Sequence, residues 1–143
     1  MIFNILHFTF YILQFYILHF TILQFYNFTL YISTVGIGIS RLTHNFAIGM
    51  KNIDDAYKGS DLEAVNMSRF LLHNEGLFLG SSSAMNCVGV VKACRKLPKN
   101  SIVVTVLCDS GNRSLSKLYN NDFLKEKRLS PTIKNYDSID FVK

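Results

Sequence analysis

The first 40 residues contain no Asp, Glu, Lys or Arg, so all fifteen basic and ten acidic residues of this 143-residue chain lie from Arg41 onward. A basic leading stretch and a small-residue cleavage site are both lacking, which argues against a secretory signal. The +5 balance is spread thinly, with one dense patch at Lys125, Lys127 and Arg128 beside Glu126. That distribution reads as a solvated surface and speaks against nucleic-acid binding. Cysteine is scarce. Cys87, Cys94 and Cys108 are odd in number, lack CxxC spacing and sit among apolar residues, which argues against a disulfide framework and a zinc site and fits a reducing compartment.

What fills the uncharged start is a repeat. From Ile5 to Tyr26 the chain reads ILHFT, FY, ILQFY, ILHFT, ILQFY. A period of five matches neither the helical period of about 3.6 nor the strand period of 2, so in a helix the apolar groups surround every side. Eleven of the nineteen Phe and Tyr residues precede position 35. The length exceeds the roughly 20 apolar residues that cross a bilayer, while His7, Gln14, His19, Gln24 and Asn27 raise the insertion cost. Residues 1–34 therefore read as a low-complexity hydrophobic, helix-like segment with a membrane anchor as one expectation. A translated simple DNA repeat without an evolved role is the other. His and Gln residues set by the repeat are not expected to bind metal.

Composition changes after Ser33, and the globular part is expected from residue 35 to 128, followed by a loose polar tail, 129–143. Ser60-Asp-Leu-Glu63 has the form of a capping box, predicting a helix from Asp61 to about His73 with Gly76 as its stop. Leu77–Leu79 suits a short buried strand, and Gly80–Ser83 a turn. A second helix is predicted from about Ala84 to Leu97, with Ala84, Cys87, Val88, Val91 and Cys94 on its core face, ended by Pro98. The β-branched run Ile102–Leu107 reads as a strand buried on both faces. The fold class is thus α/β, a partial three-layer arrangement with a short parallel sheet and flanking helices, preceded by the hydrophobic segment. Gly80–Ser83 and Asp109–Gly111 both fall just past predicted strand ends, where open α/β sheets place ligands.

These segments, in order, resemble the cysteine synthase / cystathionine β-synthase family of pyridoxal-phosphate enzymes, fold type II. Gly36-Ile-Gly38 is similar to a glycine-containing pocket loop, and Ser60–Ser68 to an acidic segment opening a helix. Glu75–Ser83 is similar to the motif EEG-[IL]-hydrophobic-x-G-x-SSG, and Val104–Arg113 to a strand followed by [CP]-x-SGxR. The resemblance covers about residues 35–128 and implies that Ser82 faces the pyridine nitrogen of the cofactor. A neutral hydroxyl there moderates the ring as an electron sink, which suits β-elimination and replacement. Ser82 can equally cap the following helix. Ala84 departs from the family's usual Gly.

The resemblance also implies a Schiff-base lysine, an Asn-containing substrate loop and a GTGGT phosphate cradle, and none of them is present. Lys92 and Lys117 read as exposed on helix faces. No catalytic residue is assigned: Asp109 and Ser110 have no histidine positioned to activate the serine. His44 and Asn45 could support the pocket loop, His73 suits a helix C-terminus, and Arg113 could pin its own loop. The leading expectation is the C-terminal portion of an enzyme that replaces the β-substituent of an activated serine with sulfide, in cysteine biosynthesis, inactive alone. The alternatives are a membrane-tethered, non-catalytic interaction module and a truncated or mis-joined gene product. Implied partners are an amino-acid substrate and a second copy in a homodimer. The expected location is membrane-associated or cytoplasmic, with mitochondria implied for some members.

Overall fold

The computed structural model describes residues 44–143. A short helix, α1 (His44–Gly49), runs into a 3-10 turn at Met50–Asn52. Helix α2 (Asp61–Glu75) begins on the predicted capping box. The Ser60 hydroxyl accepts from the Glu63 amide at 3.2 Å, and the Ser60 amide donates to the Glu63 carboxylate at 2.6 Å. It stops where Gly76 turns left-handed at φ 67°, a conformation open to glycine without a Cβ penalty. Helix α3 spans Ser81–Cys94, and α4 (Asn121–Glu126) starts where the Asn120 side chain accepts from the Phe123 amide.

Helices α2 and α3 form the main core. Ala64, Met67, Phe70 and Leu71 of α2 pack against Ala84, Met85 and Val88 of α3, with Leu79 and Val142 completing the cluster. A smaller cluster joins Val65 to Leu118 and Leu124, which anchors α4 on the far side of α2. Burying a Leu or Met side chain contributes on the order of 2 kcal/mol, so these two clusters fix how the loops around α3 are held.

Several expectations are corrected. The second helix starts at Ser81 rather than Ala84 and ends at Cys94 rather than Leu97. Cys94, placed in the core by its spacing, is exposed. Lys92, read as solvent-facing, is instead ion-paired to Glu63 at 2.9 Å with 14% of its side chain exposed. Glu63 is the partner that the helical period could not show, because it lies on the other helix.

The expected short parallel sheet is not seen among the described residues, which carry no strand. Leu77–Leu79 contributes one isolated bridge, Leu79 with Ser110, and it is antiparallel. The Gly80 amide donates to the Asp109 carbonyl at 3.1 Å and the Gly111 amide to the Phe78 carbonyl at 3.0 Å. Residues 102–107 alternate, with Ile102, Val104 and Val106 outward at 93, 76 and 65% exposure and positions 103 and 105 half-buried. That is the period-two pattern of an extended chain with one face covered and one bare. A two-faced apolar run needs neighbours on both faces and on its edges, and the described residues supply only part of that cover.

The tail is not loose. Thr132 and Asn66 exchange two hydrogen bonds, of 2.8 and 2.9 Å, Asn74 donates to the Tyr136 carbonyl, and His73 stacks on Tyr136 at 4.0 Å. Val142 is buried, Arg95 donates to its carbonyl at 2.7 Å, and the Lys143 amide reaches Glu63 at 2.8 Å. These bonds come from residues 44 to 80 positions away in sequence, beyond the reach of local polarity arguments. No described helix is long and apolar enough to cross a membrane. The repeat at 1–34, on which the anchor expectation falls, and Gly36-Ile-Gly38 lie outside the described residues.

Candidate functional site

The serine turn at the start of α3 is held by a carboxylate from another segment. Asp109 accepts from the Ser82 amide at 3.2 Å through one oxygen and from the Ser83 amide at 2.8 Å through the other. These are amides that a helix leaves without internal partners, and an anion there is favoured by the helix dipole. The hydroxyl of Ser83 donates to the same carboxylate at 2.5 Å and accepts from the Asp109 amide at 2.9 Å. The cap residue itself, Gly80, contributes no side-chain bond. A Cβ at Gly80 would overlap the Asp109 carboxylate, so the close approach requires glycine.

The Ser82 hydroxyl is not the cap of α3. Capping is done by Asp109, and the Ser82 hydroxyl forms no hydrogen bond among the described residues, although Ser82 is only 8% exposed. The sequence places Asp109 at the strand-end edge beside Gly80–Ser83 but does not show it as the cap of α3. Its position in front of Ser-Gly, one residue past an apolar run, is the signal that was available. Ser110 caps the 3-10 turn Gly111–Ser114 through its hydroxyl.

Beneath the turn lies an aromatic support. The Tyr119 hydroxyl donates to the Leu79 carbonyl at 2.7 Å, its ring packs on Phe78 at 4.6 Å, and the Arg69 guanidinium covers it at 4.5 Å. Arg69 also donates to the Leu118 carbonyl at 3.0 Å, linking α2 to this support. The Phe78–Leu79 segment leading into the turn is therefore fixed by a tyrosine that no motif pointed to.

The remaining sequence candidates fall elsewhere. His44, Asn45, Arg113 and Lys117 are exposed, and the loop expected near His44 and Asn45 lies outside the described residues. His73 is committed to Tyr136 and Asn74. No group of His, Cys, Asp or Glu among the described residues could hold a metal ion.

Tested against pyridoxal phosphate, the described residues do not complete a site. The α3 amides that could receive a phosphate are taken by Asp109. Lys92 is held by Glu63 and the Lys58 carbonyl, Lys96 by Asp55, and Lys127 by Glu126. At the turn itself, Ser82 is a serine whose hydroxyl has no hydrogen bond among the described residues.

No family model matches the chain. Over 107 residues it is 50% identical to cysteine synthase 2 of Schizosaccharomyces pombe, covering 75% of this chain and 27% of that protein. Cysteine synthase 2 of Neurospora crassa is 54% identical over 84 residues, 59% of this chain and 18% of that protein. Cysteine synthase of Dictyostelium discoideum is 42% identical over 108 residues, 76% of this chain and 28% of that protein. The chain thus spans about a quarter of the length of these curated relatives.

Proposed function

The chain belongs to the cysteine synthase family, and we propose that it carries the serine-turn portion, toward the C-terminus, of a pyridoxal-phosphate enzyme that replaces the β-substituent of an activated serine with sulfide. The carrying observation is the division of labour at the turn. Asp109 fixes the Ser82 and Ser83 amides and the Ser83 hydroxyl, and leaves the Ser82 hydroxyl unclaimed. A side chain whose backbone is held on both sides and whose hydroxyl is unbonded among the described residues is preorganised for a further partner.

In this reading Ser82 meets the pyridine nitrogen of the cofactor, whose role when bound is to delocalise charge from the substrate's α-carbon. Residues 102–107 form a strand of a parallel sheet whose other members lie in the remaining length of the family's fold. The bare face of Ile102, Val104 and Val106 supports that assignment. The amino-acid substrate and a homodimeric state follow from the family. Three free cysteines fit a reducing compartment, cytoplasm or mitochondrion.

The test is cofactor retention. The full chain alone, incubated with pyridoxal phosphate and gel-filtered, is expected to keep none; a stoichiometric, borohydride-trappable absorbance would sink the claim that the chain lacks its lysine and phosphate sites. Co-expression with the segment of a longer relative that supplies both is expected to yield a yellow complex. In it, Ser82→Ala should shift the absorbance maximum and slow cysteine formation from an O-acylserine and sulfide. An unchanged spectrum and rate in Ser82→Ala would remove the assigned role of that hydroxyl.

A further inference from the structure

Cys108 lies against the stretch of α3 that the Asp109 clamp holds and that also carries Cys87. Cys108 Sγ is 3.9 Å from the Ser83 hydroxyl and 3.8 Å from the Asn86 side-chain nitrogen. Cys87 follows Asn86 directly and sits one helical turn beyond Ser83, a spacing that stacks side chains on one face. The Asn86 amide also donates to the Val106 carbonyl at 2.8 Å, so the segment approaching Cys108 runs alongside the residues around Cys87. Burial, and after it charge on Cys108, push the Cys87 thiol up to about 11. Cys94 lies two turns further along α3, about 10 Å away by helical rise, and faces solvent.

We propose that Cys87 and Cys108 form a peroxide-sensitive dithiol that closes to an intramolecular disulfide between α3 and the segment bearing Asp109. Exposed Cys108 is the sulfur that meets the oxidant. Its thiolate attacks hydrogen peroxide, the O–O bond breaks, and a sulfenic acid forms with loss of hydroxide, which takes up a proton as water. The half-buried Cys87 thiolate then attacks that sulfur, the S–O bond breaks, and a second water is released. In sum, two thiols lose two electrons and two protons, and one peroxide is reduced to two waters. Residues 102–108 carry no helix or paired strand, so the approach a disulfide needs falls on a segment outside regular structure.

The experiment treats the full chain with a slight excess of hydrogen peroxide, alkylates the remaining thiols and maps peptides without reductant. The expected result is a cross-linked pair containing Cys87 and Cys108 within one chain, a mass loss of about 2 Da, and Cys94 alone alkylated. Closure should accelerate as pH rises toward the Cys87 pKa. Cys94→Ser should leave the cross-link intact, and Cys108→Ser should leave Cys87 reduced at the same dose. A link involving Cys94, a link only between chains, or Cys108 carried to sulfinic acid with Cys87 still free would each overturn the proposal.

Discussion

Asp109 and Ser83 bind each other reciprocally: the carboxylate accepts from the Ser83 amide at 2.8 Å and from its hydroxyl at 2.5 Å, and that hydroxyl accepts from the Asp109 amide at 2.9 Å. Replacing the carboxylate leaves two helix amides without their acceptor and the buried Ser83 hydroxyl with only the Asp109 main-chain carbonyl, at 3.0 Å. Asp109→Ala is expected to cost on the order of 2 kcal/mol, read as a lower urea midpoint of the full chain. Asp109→Asn, which keeps one acceptor oxygen, should lose less.

Gly80→Ala places a methyl group where the Asp109 carboxylate lies and is expected to cost about 1–3 kcal/mol. Gly49→Ala, a helical position with nothing within 4 Å, is the control and should be neutral or slightly stabilising. Because Gly80 and Asp109 share one contact, the double variant Gly80→Ala with Asp109→Ala should lose clearly less than the sum of the two. Additive losses would show that the overlap is relieved elsewhere.

The capping box of α2, its glycine stop and both helices were legible in the sequence because they obey rules spanning three to five residues. Ser60, Glu63 and Gly76 behave as local chemistry dictates. For the sheet, Ile102–Leu107 carries only half of the information: β-branched residues announce a strand, but no row that would pair with it is seen among the described residues. At the site, the motif points to Ser82 and the strand-end argument to Asp109–Gly111, whereas the Asp109 clamp on α3 and the bond from Tyr119 are not legible, since each acts on backbone groups 26 to 40 residues away.

Glu63 gives the docked tail a pH dependence. Burial opposes its ionisation, but the Lys143 amide, Lys92 and Ser60 outweigh that and hold its pKa below the ordinary value of 4.5. A depressed carboxylate contributes stability above its unfolded pKa, and the contribution is lost as pH falls through the folded value. Hydrogen exchange at the Val142 and Lys143 amides should therefore stay slow at pH 6 and, after correction for intrinsic rates, open progressively below about pH 4. Glu63→Gln, which strands the half-buried Lys92, is expected to cost about 3 kcal/mol and to open the same amides at pH 7.

Asp61 has the opposite sign. Burial pushes its carboxyl up to about 6, and one of its oxygens is buried without a hydrogen-bond partner. The folded form binds the proton more tightly than the unfolded chain, so this group's contribution falls as pH rises from about 4 to 6 and stays low above that window. Asp61→Asn should raise the melting temperature at pH 8 by a few degrees, roughly what 1 kcal/mol gives a small domain, with little change at pH 4. Equal shifts at both pH values would show that the charge is not the cause.

The bare row at Ile102, Val104 and Val106 predicts self-association of the full chain. Val104→Lys, on a side chain 76% exposed, should leave helical circular dichroism unchanged and lower the sedimentation coefficient at concentrations where the unmodified chain associates. A variant that sediments identically would mean that association, if present, uses another surface.

The bond between the Lys143 amide and Glu63 spans 80 residues. During synthesis α2 is made long before its buried glutamate can meet that amide, and Lys92, its other partner, arrives in between. A contact of such high sequence separation carries a large loop-closure entropy and slows folding. The nascent helix pair must wait with a charged carboxylate and an open apolar groove, a window in which a chaperone rather than the chain's own last residues would occupy the seat of Val142.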